Sequence, residues 1–172
     1  MRRAALGFSY GYRKDGPGVS NLELIRKFYE RCLENGTLPE FDLILQGELA
    51  DAHSKQGLAE YDEFYGSKIV HVIREHQITG EYLNTDEVAR QGVEFATAQG
   101  YKSILILAYP YIRRPYCVRF TRRLAKPHGI TVKVARVGWI HADPLSEQWW
   151  TRNLIAPILY IAKCKFLNIR GK

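Results

Sequence analysis

The stretch that decides the fold is ALGFSYGYRKDGPGVSNLEL, Ala5 to Leu24. It opens as an apolar strand and closes as an amphipathic helix. Between the two lie Gly7, Gly11, Gly16 and Gly18, with Arg13, Lys14 and Asp15 among them. A strand that leads through a glycine-rich loop into a helix is the opening unit of a parallel α/β sheet. In such a sheet the loop lies at the carboxyl edge, where ligands bind. The motif is neither GxGxxG nor a P-loop, because no Gly-Lys-Ser/Thr follows. By its residues alone the loop is either a long connection or one wall of a ligand site.

The same alternation continues outward. Apolar runs at 4–9, 41–46, 68–73, 103–108 and 131–137 read as five strands. The fourth, SILILA, is apolar throughout, as a strand covered on both faces must be. A first helix is expected over Asn21–Asn35, with Ser20 and Glu23 as a capping box and Gly36 past its end. A second is expected within 57–66. A third follows Asn84, which has capping-box spacing to Glu87, and ends at Gly100. A fourth starts near Pro115 and stops before Pro127. A fifth runs over about 143–165 from the Asp143-Pro144 pair, ahead of a basic tail at 166–172. Trp149, Trp150, Leu154, Ile158 and Ile161 would pack this last helix onto the sheet. The expected architecture is one Rossmann-like domain over 1–172, a doubly wound sheet of about five mainly parallel strands with helices on both faces.

Bulk properties narrow the function. With 172 residues, 46% hydrophobic and 25% charged, the chain suits one soluble domain. It has no apolar run long enough for a membrane span. Its three cysteines form no CxxC pair, which predicts reduced packing residues and a cytoplasmic setting. Its five histidines lack metal-ligand spacing, so no metal is expected. No GxSxG elbow is present. Residues 1–110 carry 12 Lys and Arg against 16 Asp and Glu, a balance of −4; residues 111–172 carry 13 against 2, a balance of +11. The basic part would attract nucleic acid, anionic lipid or a phosphorylated ligand, or is simply a solvated surface. Its helix, RRPYCVRFTRRLAK, sets Arg119, Arg122, Arg123 and Lys126 beside an apolar stripe of Tyr116, Phe120 and Leu124. An ordinary surface helix has the same pattern, and no recognised nucleic-acid motif accompanies it.

Four blocks in order carry a resemblance. ALGFSYGYRKDGPGVSNLELIR pairs a glycine-bearing strand end with Asp15-Gly16 and a helix. LILQGE, Leu43 to Glu48, partly matches a strand ending in Ser-Gly-Gly. NTDEVA, Asn84 to Ala89, matches Asn-Thr-x-Glu-Asn-Ala except at Val88. LAYPYIRR, Leu107 to Arg114, keeps the arginine of Thr-Ser-x-Tyr-His-Met-x-Arg, with Leu107 and Ala108 for Thr-Ser and Tyr111 for His. Over about residues 4–140 the chain resembles the bacterial YdcF, SanA and ElyC family, a domain of unknown function. The resemblance implies a Rossmann-like fold with a polar pocket, a link to envelope processes, and S-adenosylmethionine or another nucleotide as ligand.

The expected ligand-binding set is Gly7, Arg13, Asp15, Gly16, Glu48, Asn84, Thr85, Glu87, Tyr111 and Arg114. Arg13 and Arg114 would hold an anion. Asn84 and Thr85 would orient a polar group, although Asn84 and Glu87 equally read as helix caps. Glu48 would bind a ribose or an amine, or act as a base. Two other functions follow from the same residues: a transferase or hydrolase acting on a phosphorylated or nucleotide-linked envelope precursor, and a nucleic-acid or interaction module built on the basic half.

Overall fold

The computed structural model describes residues 3–36, 41–57, 68–75, 84–110, 113–148, 151–153 and 155, with residues 113–115 given by their backbone. The strands are β1 (Arg3–Gly7), β2 (Phe41–Gln46), β3 (Lys68–Ile73), β4 (Ser103–Leu107) and β5 (Thr131–Val134). The helices are α1 (Val19–Glu34), α2 (Gly47–Lys55), α3 (Thr85–Ala98) and α4 (Arg113–Ala125), and a 3₁₀ turn follows at Lys126–His128. All strand pairs are parallel, in the order β3-β2-β1-β4-β5. The chain walks outward from β1 through β2 to β3. It then returns across the sheet to lay β4 on the other side of β1. The topological switch point therefore falls between β1 and β4.

Period-two alternation along the inner strands divides the core. Ala5, Leu43, Leu45 and Leu107 face α1 and α2, where they meet Leu24, Ile25, Phe28, Tyr29 and Leu49. Ala4, Leu6, Ile44, Ile104 and Ile106 face α3 and α4, where they meet Val88, Ala89, Val93, Ala96 and Cys117. Every residue of β2 is buried, as a central strand requires. Its one charged side chain, Asp42, accepts a 2.5 Å hydrogen bond from the Tyr101 hydroxyl. Gly36 and Gly100 follow α1 and α3 with φ of 63° and 72°, a left-handed conformation that stops a helix.

The strand and helix boundaries expected from the residues recur within a few positions, with two departures. First, a helix runs over Gly47–Lys55, a segment for which no helix was expected. It starts directly from β2 with no linker, so no turn residue announces it. The helix expected within 57–66 falls almost wholly outside the described residues. Second, Asp143 starts no helix of its own: 143–148 is a chain of turns and bends, because the Asp143 carboxylate is taken up by α1. Trp149, Trp150, Leu154, Ile158, Ile161 and the basic tail lie outside the described residues. Among the described residues no helix is long and apolar enough to cross a membrane.

Close approach of α3 to the sheet depends on Gly92. A Cβ there would lie 2.5 Å from Leu6 Cδ1 and 2.8 Å from Leu6 Cδ2. Because Leu6 is fully buried, it has nowhere to move. Gly92→Val should therefore cost about 1–3 kcal/mol. Urea unfolding checks this as a lower midpoint at unchanged slope.

Candidate functional site

The β1–α1 loop is held by hydrogen bonds that anchor each of its first turns. Phe8 N–H donates to the Leu107 carbonyl at 2.8 Å, carrying β1–β4 pairing one residue beyond the strand. Ser9 N–H donates to Gln46 Oε1 at 3.0 Å, joining the loop to the end of β2. Asn21, in the first turn of α1, uses both ends of its amide. Its Oδ1 accepts from Tyr10 N–H at 2.8 Å and its Nδ2 donates to the Gly11 carbonyl at 2.9 Å. Beyond the switch point, the rings of Tyr10 and Tyr109 stack 3.9 Å apart at 5°. Both are buried, and the Tyr109 hydroxyl donates to the Ile140 carbonyl at 3.2 Å. On the α1 face, the crevice between β1 and β4 is filled by aromatic side chains.

The start of α1 is also occupied. Its backbone N–H groups and the helix dipole favour an anion, and the chain supplies one itself in Asp143. Val19 N–H donates to Asp143 Oδ2 at 2.9 Å. Arg13 Nε donates to Oδ2 at 2.8 Å and its Nη2 to Oδ1 at 2.6 Å. Leu145 N–H closes the local turn at 3.1 Å. The Asp143 side chain is fully buried and that of Arg13 is 21% exposed. Burial pushes the Asp143 carboxyl up, but Arg13 and the two backbone donors outweigh it and hold the group below the usual aspartate range. Gly18 allows this approach, since a Cβ there would stand 2.6 Å from Asp143 Oδ2.

Several expectations change accordingly. Arg13 was expected to pair with a ligand phosphate; its fork holds a carboxylate of its own chain. The Ser20–Glu23 capping box does not form. Gly18 is the N-cap, the buried Ser20 hydroxyl has no hydrogen-bond partner among the described residues, and Glu23 is drawn away to the segment after β5. There it accepts from His141 N–H at 2.6 Å, and it also pairs with Lys27 at 2.9 Å. Gly7 packs under α2: a Cβ would meet Leu45 Cδ2 at 2.7 Å and Leu49 Cδ1 at 2.9 Å. Asp15 is exposed and Gly16 half-buried on the outer turn of the loop.

The end of β2 remains differently disposed. Gln46 is both the last residue of β2 and the N-cap of α2, but its side chain is committed to Ser9 and does not cap the helix. Glu48, in the first turn, is half-buried. Arg74, just past β3, lays its guanidinium against that turn: a Cβ on Gly47 would be 2.9 Å from Arg74 Nη1. Arg74 also pairs with Asp51, Nη2 to Oδ1 at 2.6 Å, with both side chains about half exposed. Asp51 and the nearby charge of Glu48 strengthen its hold on its proton.

At α3 the capping reading of Asn84 holds. Its Oδ1 accepts from Glu87 N–H at 2.9 Å. Glu87 is buried and does not reach back to Asn84. Its Oε1 instead accepts from Arg90 Nη2 at 2.6 Å and Gln91 Nε2 at 2.7 Å. Thr85 is buried in the same turn. Arg114 sits in the first turn of α4 by its backbone, and Tyr111 lies outside the described residues. Among the described residues no cluster of three or more His, Cys, Asp or Glu side chains could hold a metal ion. His71 stacks on Phe95 at 4.4 Å and 9°, where burial lowers its pKa and favours the neutral ring.

The structure therefore brings Ser9, Gln46, Gly47, Glu48 and Arg74 to one corner of the carboxyl edge. It places Asn84, Thr85 and Glu87 together at the start of α3, with Asn84 as its cap. Arg74 was missed by sequence reasoning, since it lies in no motif, and Asp143 was read only as the cap of a fifth helix; each acts across the fold.

Asp143→Asn should lower stability at neutral pH by about 1–3 kcal/mol, through loss of a charged hydrogen-bond pair and a helix cap. The folded-state pKa is depressed, so this stabilisation is full above the ordinary aspartate range and is lost as pH falls through the folded value. Urea unfolding at neutral and acid pH should show the variant losing less on acidification than the parent chain. No family model, curated protein or solved structure matches this chain.

Proposed function

We propose that the protein binds a small anionic, nucleotide-like ligand at the carboxyl edge of the sheet, over the ends of β1 and β2. The observation that carries the reading is the start of α2. This helix leaves β2 without a loop, has no side-chain cap, begins at glycine, and has the Arg74 guanidinium laid against its first turn. A helix N-terminus beside an arginine binds phosphate or carboxylate. Glu48 in the same turn would accept from ribose hydroxyls, the role that an acidic residue past the second strand has in dinucleotide-binding folds.

The sheet order supports the same place, because doubly wound sheets bind ligands beyond the strand ends near the switch. With the α1 end taken by Asp143, α2 is the neighbouring helix start along that edge. The resemblance to YdcF, SanA and ElyC agrees with an S-adenosylmethionine-like or other nucleotide ligand and a role in envelope metabolism. Arg114 is the family-pattern residue that would join the site from the β4 side.

A thermal-shift panel of S-adenosylmethionine, nucleotides, sugar nucleotides and polyprenyl phosphate mimics tests the reading. A ligand of the native state raises the midpoint by mass action. Arg74→Ala should weaken that ligand about 10- to 100-fold, the worth of a charged hydrogen bond. It should leave the unliganded midpoint nearly unchanged, because its pair with Asp51 is exposed. A panel without any shift, or a shift indifferent to Arg74→Ala and Glu48→Gln, would overturn the proposal.

A further inference from the structure

We propose that the solvent face of α4 is a binding surface for single-stranded nucleic acid. Residues 111–142 contain eight Lys and Arg and no Asp or Glu. Composition alone does not separate a partner surface from a solvated one. The pairing of the arginines does.

On the other described helices, arginines are neutralised within the chain. Arg26 pairs with Glu30 and Arg31 with Glu34 on α1, and Arg90 pairs with Glu87 and Glu94 on α3. On α4, Arg119, Arg122 and Arg123 are exposed and make no ion pair among the described residues, and the same is true of Lys126 just beyond. The Asp86 carboxylate on α3 feels Arg123 without an ion pair between them among the described residues. Cations at 119, 122, 123 and 126 are spaced i,i+3 and i,i+4, so they repel one another and weaken the helix. The helix C-terminus and the Phe120 ring offset part of this cost, but among the described residues no carboxylate pairs with these cations; an external polyanion would.

Aromatic rings are set into the same face. Tyr116 is 52% exposed. Its ring meets Phe120 edge-on, 4.6 Å apart at 60°. The Arg123 guanidinium lies over the Phe120 ring, 4.8 Å from its centroid. Positions 116, 119, 120, 123 and 126 follow helical spacing, so phosphate-binding cations and stacking rings share one stripe about 15 Å long. That combination suits a single strand, whose bases are free to stack while its backbone follows the charges. A membrane surface fits less well. Helices that bind there insert a free apolar face, whereas Cys117, Val118, Thr121 and Ala125 of α4 are turned into the core.

Anisotropy of fluorescein-labelled oligouridylate with the full chain, titrated over KCl, tests this. Neutralising four phosphates predicts a slope of log K against log salt of about −3 for a single strand. Arg119→Gln with Arg123→Gln should make the slope shallower by about 1.4. Tyr116→Ala should weaken binding about tenfold at unchanged slope, since it removes stacking and no charge. All three side chains are exposed, so no variant should melt more than marginally below the parent chain, and loss of the mutual repulsion should if anything raise the midpoint of the double variant. Four results would overturn the proposal: no binding at low salt, a slope unchanged in the double variant, equal or tighter binding to duplex of the same length, or capture by phosphatidylserine vesicles without oligonucleotide binding.

Discussion

The buried carboxylate of Asp143 is the contact on which the arrangement of the carboxyl edge depends. It lies 124 residues from Val19 in sequence, yet it caps the helix that Val19 begins. It also draws Arg13 inward and so sets the path of the β1–α1 loop. Its own segment, descending from β5, is thereby pinned across the α1 face, where Ile140 meets Tyr109 and His141 meets Glu23. One ionised group thus joins the first loop, the first helix and the segment after the last strand. The carboxylate is tolerated in a fully buried position because four donor groups surround it, two N–H groups of a guanidinium and two of the backbone.

The helices that start at this edge consequently differ in chemistry. The α1 terminus is satisfied from within by Asp143. The α3 terminus is satisfied by Asn84 and carries its own acids, Asp86 and Glu87, which already complement the dipole. The α2 terminus has neither a side-chain cap nor a loop; it carries one acid, Glu48, in its first turn and has the Arg74 guanidinium laid against it. The proposed anion site is accordingly at α2 and not at α1, and two glycines of the first loop make room for packing. Gly7 accommodates Leu45 and Leu49, and Gly18 accommodates Asp143. The basic surface lies on another element, α4, so the two proposed binding functions rest on separate residues.

Much of the architecture was legible in the residues. The five apolar runs became the five strands, and the spacing of Ile25, Phe28, Tyr29 and Cys32 marked the buried stripe of α1. Asn84 before a helical pattern marked a cap that the structure contains. These signals are local: burial on one or both faces writes a period of two or 3.6 into neighbouring residues, and a cap needs residues only three apart. Where two local signals are alike, only distant contacts separate them. Ser20 and Glu23 have the same capping-box spacing as Asn84 and Glu87, but His141 and Lys27 compete for Glu23 and Gly18 takes the cap position.

The residues by themselves determined the alternation of strands and helices, the parallel α/β class and the asymmetry of charge, because each is set by neighbours along the chain. The tertiary structure alone decided that β4 returns beside β1, that Asp143 fills the anion site of α1, that Arg74 meets Gly47, and that Arg119, Arg122 and Arg123 make no ion pair among the described residues. Each of these depends on which distant segments are brought within a few ångströms. That is governed by the packing of whole faces and the desolvation of a few charges, and neither leaves a periodic mark in the sequence.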